Sequence, residues 1–445
     1  MLLERTLLVK RSKVPKIFFG WWIVLASGFL TFWGQGFGHF GFSALFKPIA
    51  SELGFSRAAT SVAPSISRLE GGLLSPVVGW VTDRFGPRWI AFSGTFLVGL
   101  SLILMNFVNS LWAFYLVWGI LLGTGISVGF GLTLDRTITN WFVKKRGRAV
   151  SIKWGFYALA GILLVPLVGW LVSMQGWRLT CAIAGLVTWI IGLPLVWFFI
   201  KQRRPEYYGL LPDGATTKET ADISQVIDRG VKYATEAEEV EFTLRQTMRT
   251  SAYWLLLLAQ CGFAMIPPVL TIHAVPFLTD MGIEPLKAAV VSGIMALSTI
   301  PGTLIGGFVA DRVRKQRLRF LIGGAYFVEI IGFTSFLLNP TITMAYALFT
   351  LGHFGASIIA PLNNILTARY FGRKAFGSIR GMSMMFMLPA SIVAPIYAGW
   401  GYDTTGNYII VLFACAVSVT LSTIIISLAS PPKPPAQVTD IHKIV

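Results

Sequence analysis

Charged side chains are rare within the long apolar segments of this 445-residue chain, so each one is a candidate for chemistry. Arg68 lies about ten residues into the second such segment, roughly 15 Å deep if each residue adds about 1.5 Å. A guanidinium stays protonated and holds a carboxylate through two parallel hydrogen bonds. We therefore predict that Arg68 contacts an anionic substrate. The alternative is an internal ion pair with Glu70 or another acid.

Four further titratable side chains in apolar segments are candidates for carrying a coupling proton. Glu70 lies two residues after Arg68, which turns it about 200° around a helix, so we expect no direct bond between them. Burial favours a neutral carboxyl, whereas a nearby cation favours the ionised form. His39, His353 and Glu329 are the other candidates; histidine changes charge near physiological pH, and Glu329 lies at the centre of its segment. The alternative for each is a packed or paired side chain.

Three amide side chains, Gln35, Asn363 and Asn364, offer neutral hydrogen bonds to a substrate, as does His353. Hydrogen bonds between helices are the alternative. The histidines lack a metal-ligand spacing such as His-Glu-x-x-His, and the three cysteines lie far apart in sequence. We expect no metal, no cofactor and no catalytic residue, which argues against an enzyme.

Another group of charged residues lies at the ends of the apolar segments. Asp135, Arg136 and Lys153 fall near segment ends on the side where the loop of Asp83 is expected. We interpret them as a salt-bridge cluster that holds a gate closed in one state and breaks in the other; substrate contact by Arg136 is a minor alternative. The predicted gate residues are Asp83, Arg84, Arg88, Asp135, Arg136, Asp311 and Arg312.

The elements that must position these residues are repeated in the sequence. Gly79–Arg84 (GWVTDR) returns 228 residues later as Gly307–Arg312 (GFVADR). Pro48–Gly54 returns at the same offset as Pro276–Gly282. In so apolar a chain, two parallel copies of one unit predict two bundles that rock about a pseudo-symmetry axis.

The composition excludes an ordinary soluble protein. Mean hydropathy is +0.68, and 13% of residues are charged, against about 25% in soluble domains. Apolar segments of about 20 residues have the length of transmembrane helices. We predict an all-α integral membrane protein with twelve transmembrane helices in two six-helix bundles, at 18–45, 58–82, 89–108, 111–138, 147–173, 178–200, 252–278, 287–310, 319–338, 341–366, 377–401 and 407–430.

The net charge of +17 is a topology signal rather than a sign of nucleic-acid binding. Most of the 37 Lys and Arg residues fall in the N-terminal segment, the even-numbered connections and the tail, and three (Arg68, Arg136 and Lys153) are assigned to spans. This bias places both termini in the cytoplasm. The predicted regions are a cytoplasmic segment 1–17, bundles 18–200 and 251–430, a cytoplasmic linker 201–250, and a cytoplasmic tail 431–445.

Local breaks are expected in two of the spans. The glycine-rich run 34–39 loosens the first span, and Pro267-Pro268 interrupts the seventh at a corresponding depth. Such breaks persist in a bilayer where protein or a watery cavity satisfies the freed backbone groups. We interpret the pair as a pointer to a transport path; close helix packing through glycine is the alternative.

The loop Gly79-x-x-x-Asp83-Arg84-x-Gly86-x-Arg88 resembles the signature loop of the major facilitator superfamily, with a degenerate copy at Gly307–Arg312. The resemblance covers roughly residues 16–430. It implies that spans one, four, seven and ten line a central cavity. Three further segments resemble bacterial members of the oxalate/formate antiporter and monocarboxylate porter branch, namely Gly20-Trp21-Trp22, Arg204–Gly214 (RPEYYGLLPDG), and Phe242–Arg245 with Tyr253-Trp254.

One departure from that branch concerns its anion-binding cations. The resemblance implies an arginine in span eight and, in oxalate/formate-type members, a lysine in span eleven. Here Lys287 lies at the outer mouth of span eight, and the stretches 288–310 and 381–402 carry no charge in span eight and span eleven. The substrate residues of the branch therefore do not transfer, and another cation must recognise an anion.

These observations predict a monomeric secondary transporter of the bacterial inner membrane. It would move a small organic anion, with a monocarboxylate as the leading candidate, by proton symport or anion exchange. Export of drug-like hydrophobic compounds is the alternative, favoured by the sparse charge of the second half. A membrane receptor or enzyme on the same scaffold is a remote alternative, because no nucleophile–base pair or nucleotide-binding loop is present.

Overall fold

The computed structural model describes residues 17–55, 57–215, 226–227, 229, 240–284, 287–288 and 297–433. These ranges are helical and contain no β-strand. The first part of the chain forms α1 (Phe19–Leu30), α2 (Phe42–Leu53), α3 (Arg57–Phe85), α4 (Pro87–Leu104), α5 (Leu111–Phe114), α6 (Gly123–Gly129), α7 (Leu132–Trp141), α8 (Arg146–Val187) and α9 (Leu193–Phe199). The second part forms α10 (Leu244–Met248), α11 (Ser251–Ala264), α12 (Ile266–Asp280), α13 (Thr299–Arg312), α14 (Leu318–Leu338), α15 (Ile342–Phe371), α16 (Phe376–Thr405) and α17 (Ile409–Leu428).

Eight segments within the described ranges are long and apolar enough to cross a bilayer. They are Pro87–Phe107, Leu111–Trp141, Arg146–Phe199, Ser251–Leu270, Lys315–Leu338, Ile342–Phe371, Phe376–Tyr402 and Ile409–Leu428. Arg146–Phe199 contains two predicted spans, and the backbone of Gly176 reverses between them with φ 79°. The predicted span 287–310 falls partly outside the described residues, as do most of the N-terminal segment, linker and tail, so the count of twelve stays a prediction.

The helices are irregular where the sequence contains glycine and proline. Two π-helical turns, Thr31–Gln35 and Phe37–Gly41, join α1 to α2 across the glycine-rich run. Helices α11 and α12 meet at Met265, next to Pro267 and Pro268. A further π-helical segment, Tyr115–Leu122, connects α5 to α6. Both breaks expected from the sequence therefore coincide with departures from regular α-helix.

Buried apolar side chains form two large clusters, and each defines a bundle. The first bundle has a core drawn from residues between Ile23 and Ile200. The second bundle has a core drawn from residues between Phe242 and Ala429. Many large apolar side chains are exposed instead, among them Trp80, Trp170, Phe413 and Leu421. An exposed apolar exterior of this kind suits a lipid environment.

The two bundles meet along two helix pairs, α3 with α16 and α8 with α13. A Cβ at Gly79 would overlap the carbonyl oxygen of Gly377, and a Cβ at Gly307 would overlap that of Gly147. Glycine is required at these crossings because the backbones themselves are in contact. The contacts lie toward the end of the molecule that carries the 201–215 and 240–250 segments. We call that end the linker face and the other end the opposite face.

Candidate functional site

One stripe of α3 leads from the linker face to the middle of the molecule. Gly72, Ser75 and Gly79 lie on this stripe and contact α16; the Ser75 hydroxyl donates to the carbonyl oxygen of Gly381 at 2.7 Å. Arg68 lies one helical turn beyond Gly72 on the same stripe, and its side chain is exposed. Arg68 therefore lies beyond the described contacts that Gly72, Ser75 and Gly79 make with α16, on the side toward the opposite face.

The surroundings of Arg68 are polar but provide no acidic partner. Its charge acts electrostatically on His39 and Tyr157, and the Tyr157 hydroxyl lies 3.2 Å from Nδ1 of His39. Among the described residues Arg68 forms no ion pair, and the carboxylate of Glu70 instead accepts a hydrogen bond from the Thr124 hydroxyl. A guanidinium without an acidic partner has the charge and the donors that suit a carboxylate.

Several buried polar atoms of the first bundle lack hydrogen bonds within the described structure, and two of them belong to residues close to His39 or Tyr157. Oε1 of Gln35, one helical turn from His39, and Nε1 of Trp154 are both buried without a partner. The Trp154 ring packs edge-on against Tyr157 with 5.6 Å between ring centroids. Unpaired buried polar atoms of this kind point to a ligand or water. The sequence analysis missed Trp154 and Tyr157, although their spacing of three residues places them on one helical face.

A buried ionic network connects the bundles on the linker-face side of Arg68. The Lys153 ammonium donates to Asp135 at 2.9 Å within the first bundle, and the Asn364 amide donates to the other Asp135 oxygen at 2.9 Å from the second. Asp135 is 1% exposed and Lys153 is fully buried. The Oδ1 atoms of Asn363 and Asn364 have no partner in the described chain. Asn364 thus joins the bundles here rather than facing open space.

Arg380 falls within the predicted span 377–401 but was not counted among the charged residues inside spans, and the structure corrects that count. Helix α16 begins at Phe376, so Arg380 lies inside it, 6% exposed. It donates to Oε1 of Gln260 on α11 at 2.9 Å, and its charge acts on Asp135 and Tyr253. The stretch described above as free of charge, 381–402, starts directly after Arg380 and so leaves out this residue of the same helix.

His353 and Glu329 lie in the second bundle. Nδ1 of His353 donates to the carbonyl oxygen of Phe349 at 2.8 Å, which leaves Nε2 as its free acceptor. Glu329 is 0% exposed, and neither of its oxygens has a partner in the described residues. A Cβ at Gly355 would lie 2.6 Å from Cγ of Glu329, so this acid faces α15. Glu329 thus faces a neighbouring helix, and the described residues supply no partner for its carboxyl.

On the linker face, Asp83 at the end of α3 joins the first bundle to the second. Its carboxylate forms a salt bridge with Arg136 of its own bundle. It accepts hydrogen bonds from the backbone N–H groups of Gly377 (3.2 Å) and Ser378 (2.7 Å), and from the Ser378 hydroxyl (2.7 Å). Asp83 therefore caps the first turn of α16, where an anion is favoured by the exposed N–H groups.

Asp311 makes the symmetry-related contact in the other direction. It accepts hydrogen bonds from the N–H groups of Gly147 (2.6 Å) and Arg148 (3.1 Å) at the start of α8. Nε of Arg148 lies 3.3 Å from the same carboxylate. Burial raises the pKa of Asp311, whereas these donors oppose the rise. Each aspartate at the end of one bundle thus caps a helix of the other; we call the two contacts the clasps.

Three of the predicted gate residues lie outside these contacts. Arg84 stacks over the rings of Trp80 and Phe85 and is exposed. Nε of Arg88 donates to the carbonyl oxygen of Ile200 at 2.8 Å, which ties α4 to the end of α9. Arg312 is exposed. The other four predicted gate residues lie at or next to the bundle interface; they are Asp83, Asp135, Arg136 and Asp311.

The segment 201–215, which follows α9 on the linker face, contacts both bundles. The Asp213 carboxylate accepts hydrogen bonds from the N–H groups of Lys144 (2.8 Å) and Lys145 (2.9 Å) in the first bundle. Arg373 of the second bundle lies 3.6 Å from Glu206 and donates to the carbonyl oxygen of Asn140 at 2.9 Å. The sequence analysis used this stretch only as a lineage marker and missed its contacts.

These features define a polytopic α-helical membrane protein whose bundles are clasped at one face and expose a cation at mid-depth. The described residues contain no group of three or more metal ligands. The chain belongs to the Major Facilitator Superfamily, whose family model matches residues 24–395. The all-α fold and the superfamily predicted from the signature loop are therefore confirmed.

Relatives and solved structures extend this result. Monocarboxylate transporter 13 of Rattus norvegicus is 24% identical over 405 residues, covering 90% of this chain and 86% of that protein. The oxalate:formate antiporter of Oxalobacter formigenes is 22% identical over 386 residues, covering 85% of each. The crystal structure of the transporter FucP superposes with a TM-score of 0.66 at 12% identity, covering 92% of this chain and 99% of that one. The protein is a multi-pass secondary transporter rather than an enzyme.

Proposed function

We propose that this transporter moves a small organic anion, first of all a monocarboxylate, and that Arg68 binds its carboxylate. The observation that carries the proposal is the exposed guanidinium at mid-depth, which has no acidic partner in the described chain. His39 and Tyr157 lie near it, Gln35 lies one helical turn from His39, and the three supply neutral hydrogen-bonding groups. Relatives named for monocarboxylates and for oxalate and formate support the same class of substrate.

Transport would proceed by rocking of the two bundles, residues 18–200 and 251–430, about the glycine contacts. The bundles are in contact on the linker face, and the Arg68 side chain is exposed farther along α3, so an anion would reach Arg68 from the opposite face. Opening toward the linker face would require both clasps and the Asp135–Asn364 hydrogen bond to break. The excess of Lys and Arg on the linker-face connections supports its assignment as cytoplasmic, in the inner membrane, with the protein acting as a monomer.

The coupling step is either proton symport or anion exchange. Glu70, His39, His353 and Glu329 are the proton candidates, and His39 has the most direct position because Arg68 acts on it electrostatically. A bound anion would offset the charge of Arg68 and favour protonation of His39 nearby. Anion and proton would then load together.

Uptake of labelled acetate, lactate, formate and oxalate into proteoliposomes tests the proposal. Arg68→Gln removes the charge, and Arg68→Lys keeps it without the planar fork. Arg319→Gln is the matched control, because Arg319 stacks on Phe320 at the linker-face end of α14, away from the path. We expect Arg68→Gln to lose at least tenfold in uptake while Arg319→Gln keeps wild-type uptake. Equal uptake by Arg68→Gln and wild type would refute the assignment.

The exporter alternative rested on a second bundle poor in buried charge. Arg380 and the bond from Asn364 to Asp135 place charge and polarity in that region, which favours an anion over a hydrophobic compound. Loss of a hydrophobic dye from pump-deficient cells that express the protein, without anion uptake, would reverse this preference.

A further inference from the structure

Arg380 is a buried cation, and no carboxylate of the described residues is bonded to it. The acceptor of its hydrogen bond, the amide oxygen of Gln260, is neutral, and its Nε nitrogen is buried without a partner in the described residues. The nearest acid acting on it is Asp135, whose two oxygens are already occupied by Lys153 and Asn364. Burying a guanidinium is costly unless something compensates the charge.

The charges in this region do not balance. Arg380 and Lys153 are positive and Asp135 is negative, so the group carries one excess positive charge. When the bundles part on the linker face, Asp135 and Lys153 remain together in the first bundle. Arg380 remains with Gln260 in the second bundle. The excess charge therefore stays on the second bundle, at a site that would then face the linker-face opening.

The position of Arg380 along the path differs from that of Arg68. Arg380 lies one turn into α16 from the end that Asp83 caps, whereas Arg68 lies one helical turn beyond Gly72 on α3, farther from the linker face. Tyr253 and Ser383 flank Arg380 from α11 and α16, with 3.5 Å between their hydroxyl oxygens. Together with Gln260 they form a polar cluster within the second bundle.

We propose that Arg380 is the carboxylate-binding residue of the second bundle and holds the anion when the transporter is open to the linker face. This inference rests on the proposed function, because it assigns a second contact to the same substrate. In the clasped state the anion would bind Arg68, and in the alternative state it would bind Arg380. Each bundle thus contributes one guanidinium. Arg68 is accessible to the anion in the clasped state, and Arg380 is accessible in the state open to the linker face.

The test compares substrate affinity at the two faces of the membrane. Labelled lactate and oxalate are presented to right-side-out and inside-out vesicles that contain the full-length protein. We expect Arg380→Gln to raise KM about 10- to 100-fold at the linker face, the effect of one hydrogen-bonded charged group, and less than threefold at the opposite face. Arg380→Lys keeps the charge and loses the fork, so we expect an intermediate rise. Arg319→Gln should keep both wild-type values.

The outcomes separate this inference from the proposed function. Wild-type KM at the linker face in both Arg380 variants overturns the role of Arg380 while acid transport by the wild type stands. An equal rise at both faces also overturns it, because a structural defect has no sidedness. Failure of the wild type to carry either acid overturns the proposed function and this inference with it. Arg380→Lys provides the answer if Arg380→Gln does not reach the membrane.

Discussion

Replacing Asp83 by asparagine should open the linker face. The carboxylate accepts three hydrogen bonds from Gly377 and Ser378 of the second bundle. Asparagine has nearly the same shape, but it carries no charge and its amide nitrogen cannot accept from an N–H group. The salt bridge to Arg136 is also lost, but both partners belong to the first bundle and move together. Only the cross-bundle bonds therefore bear on the equilibrium between the two states.

The size of the effect follows from those three bonds. A hydrogen bond to a charged group contributes about 1 kcal/mol more than a neutral one. Loss of the charge at the first turn of α16 removes roughly a further 0.5 kcal/mol of interaction with the helix N-terminus. The clasped state should therefore be destabilised by about 3 kcal/mol relative to the open state. This corresponds to a shift of about 100-fold in the ratio of the two populations.

Pulsed electron spin resonance on purified protein in nanodiscs measures this shift. Spin labels at Phe85→Cys and Gln316→Cys place one probe at an exposed position of each bundle on the linker face. The three native cysteines, Cys181, Cys261 and Cys415, are first replaced by alanine. We expect the wild type to show mainly short distances and Asp83→Asn to add a population at longer distances.

The matched control is Arg84→Gln, which changes the neighbouring charge of the same loop. Arg84 is exposed and contacts rings of its own bundle only. Its variant should keep the wild-type distances. If Asp83→Asn shows the same distribution as the wild type, or if Arg84→Gln shows the same shift, the clasp does not set the equilibrium and the reasoning is wrong.

Three further predictions concern other contacts. Gly307→Val should force α13 away from the backbone of Gly147 and lower transport at least tenfold while the protein still inserts, as measured by uptake per molecule in the membrane. Asp213→Ala should lower the free energy of unfolding by about 1–3 kcal/mol, because buried backbone N–H groups lose their acceptor, and thermal unfolding in detergent measures it. Glu329→Met should raise the melting temperature, since it removes an unpaired buried carboxyl. If Glu329 carries the coupling proton, this variant also loses proton-driven uptake while keeping anion exchange; unchanged proton-driven uptake would exclude that role.

Local features of the fold followed from the sequence because their causes are local. Glycines at 34, 36 and 38 leave little side-chain packing to hold a regular helix, and the structure has π-helical turns there. The reciprocal cap between Thr243 and Gln246 at the start of α10 is likewise made by residues only three positions apart. The repeated Gly-x-x-x-Asp-Arg loops predicted two related units because each copy contains its own pattern.

Contacts between distant parts of the chain did not follow from the sequence. The bond of Arg380 to Gln260 joins two helices that are distant in sequence, and Asp83, almost 300 residues before α16, caps the first turn of that helix. Asp213 reads as a turn residue after proline, and only the structure shows that it holds the loop before α8. Arg84 and Arg88 belong to the same loop as Asp83, but their side chains point in other directions, so the three residues make different contacts. Such pairings depend on tertiary geometry, which cannot be read from the spacing of residues in a single sequence.

The clasps lie apart from the cation at mid-depth, and this separation allows two properties to change independently. In the proposed cycle both caps open, so turnover would depend on how readily Asp83 and Asp311 release their helices. The choice of substrate would depend on the groups around Arg68. A mutation that weakens one clasp would alter speed without altering which cargo is accepted. A duplicated protein of this kind can therefore acquire a new substrate at an unchanged turnover rate, or change its turnover rate for the same substrate.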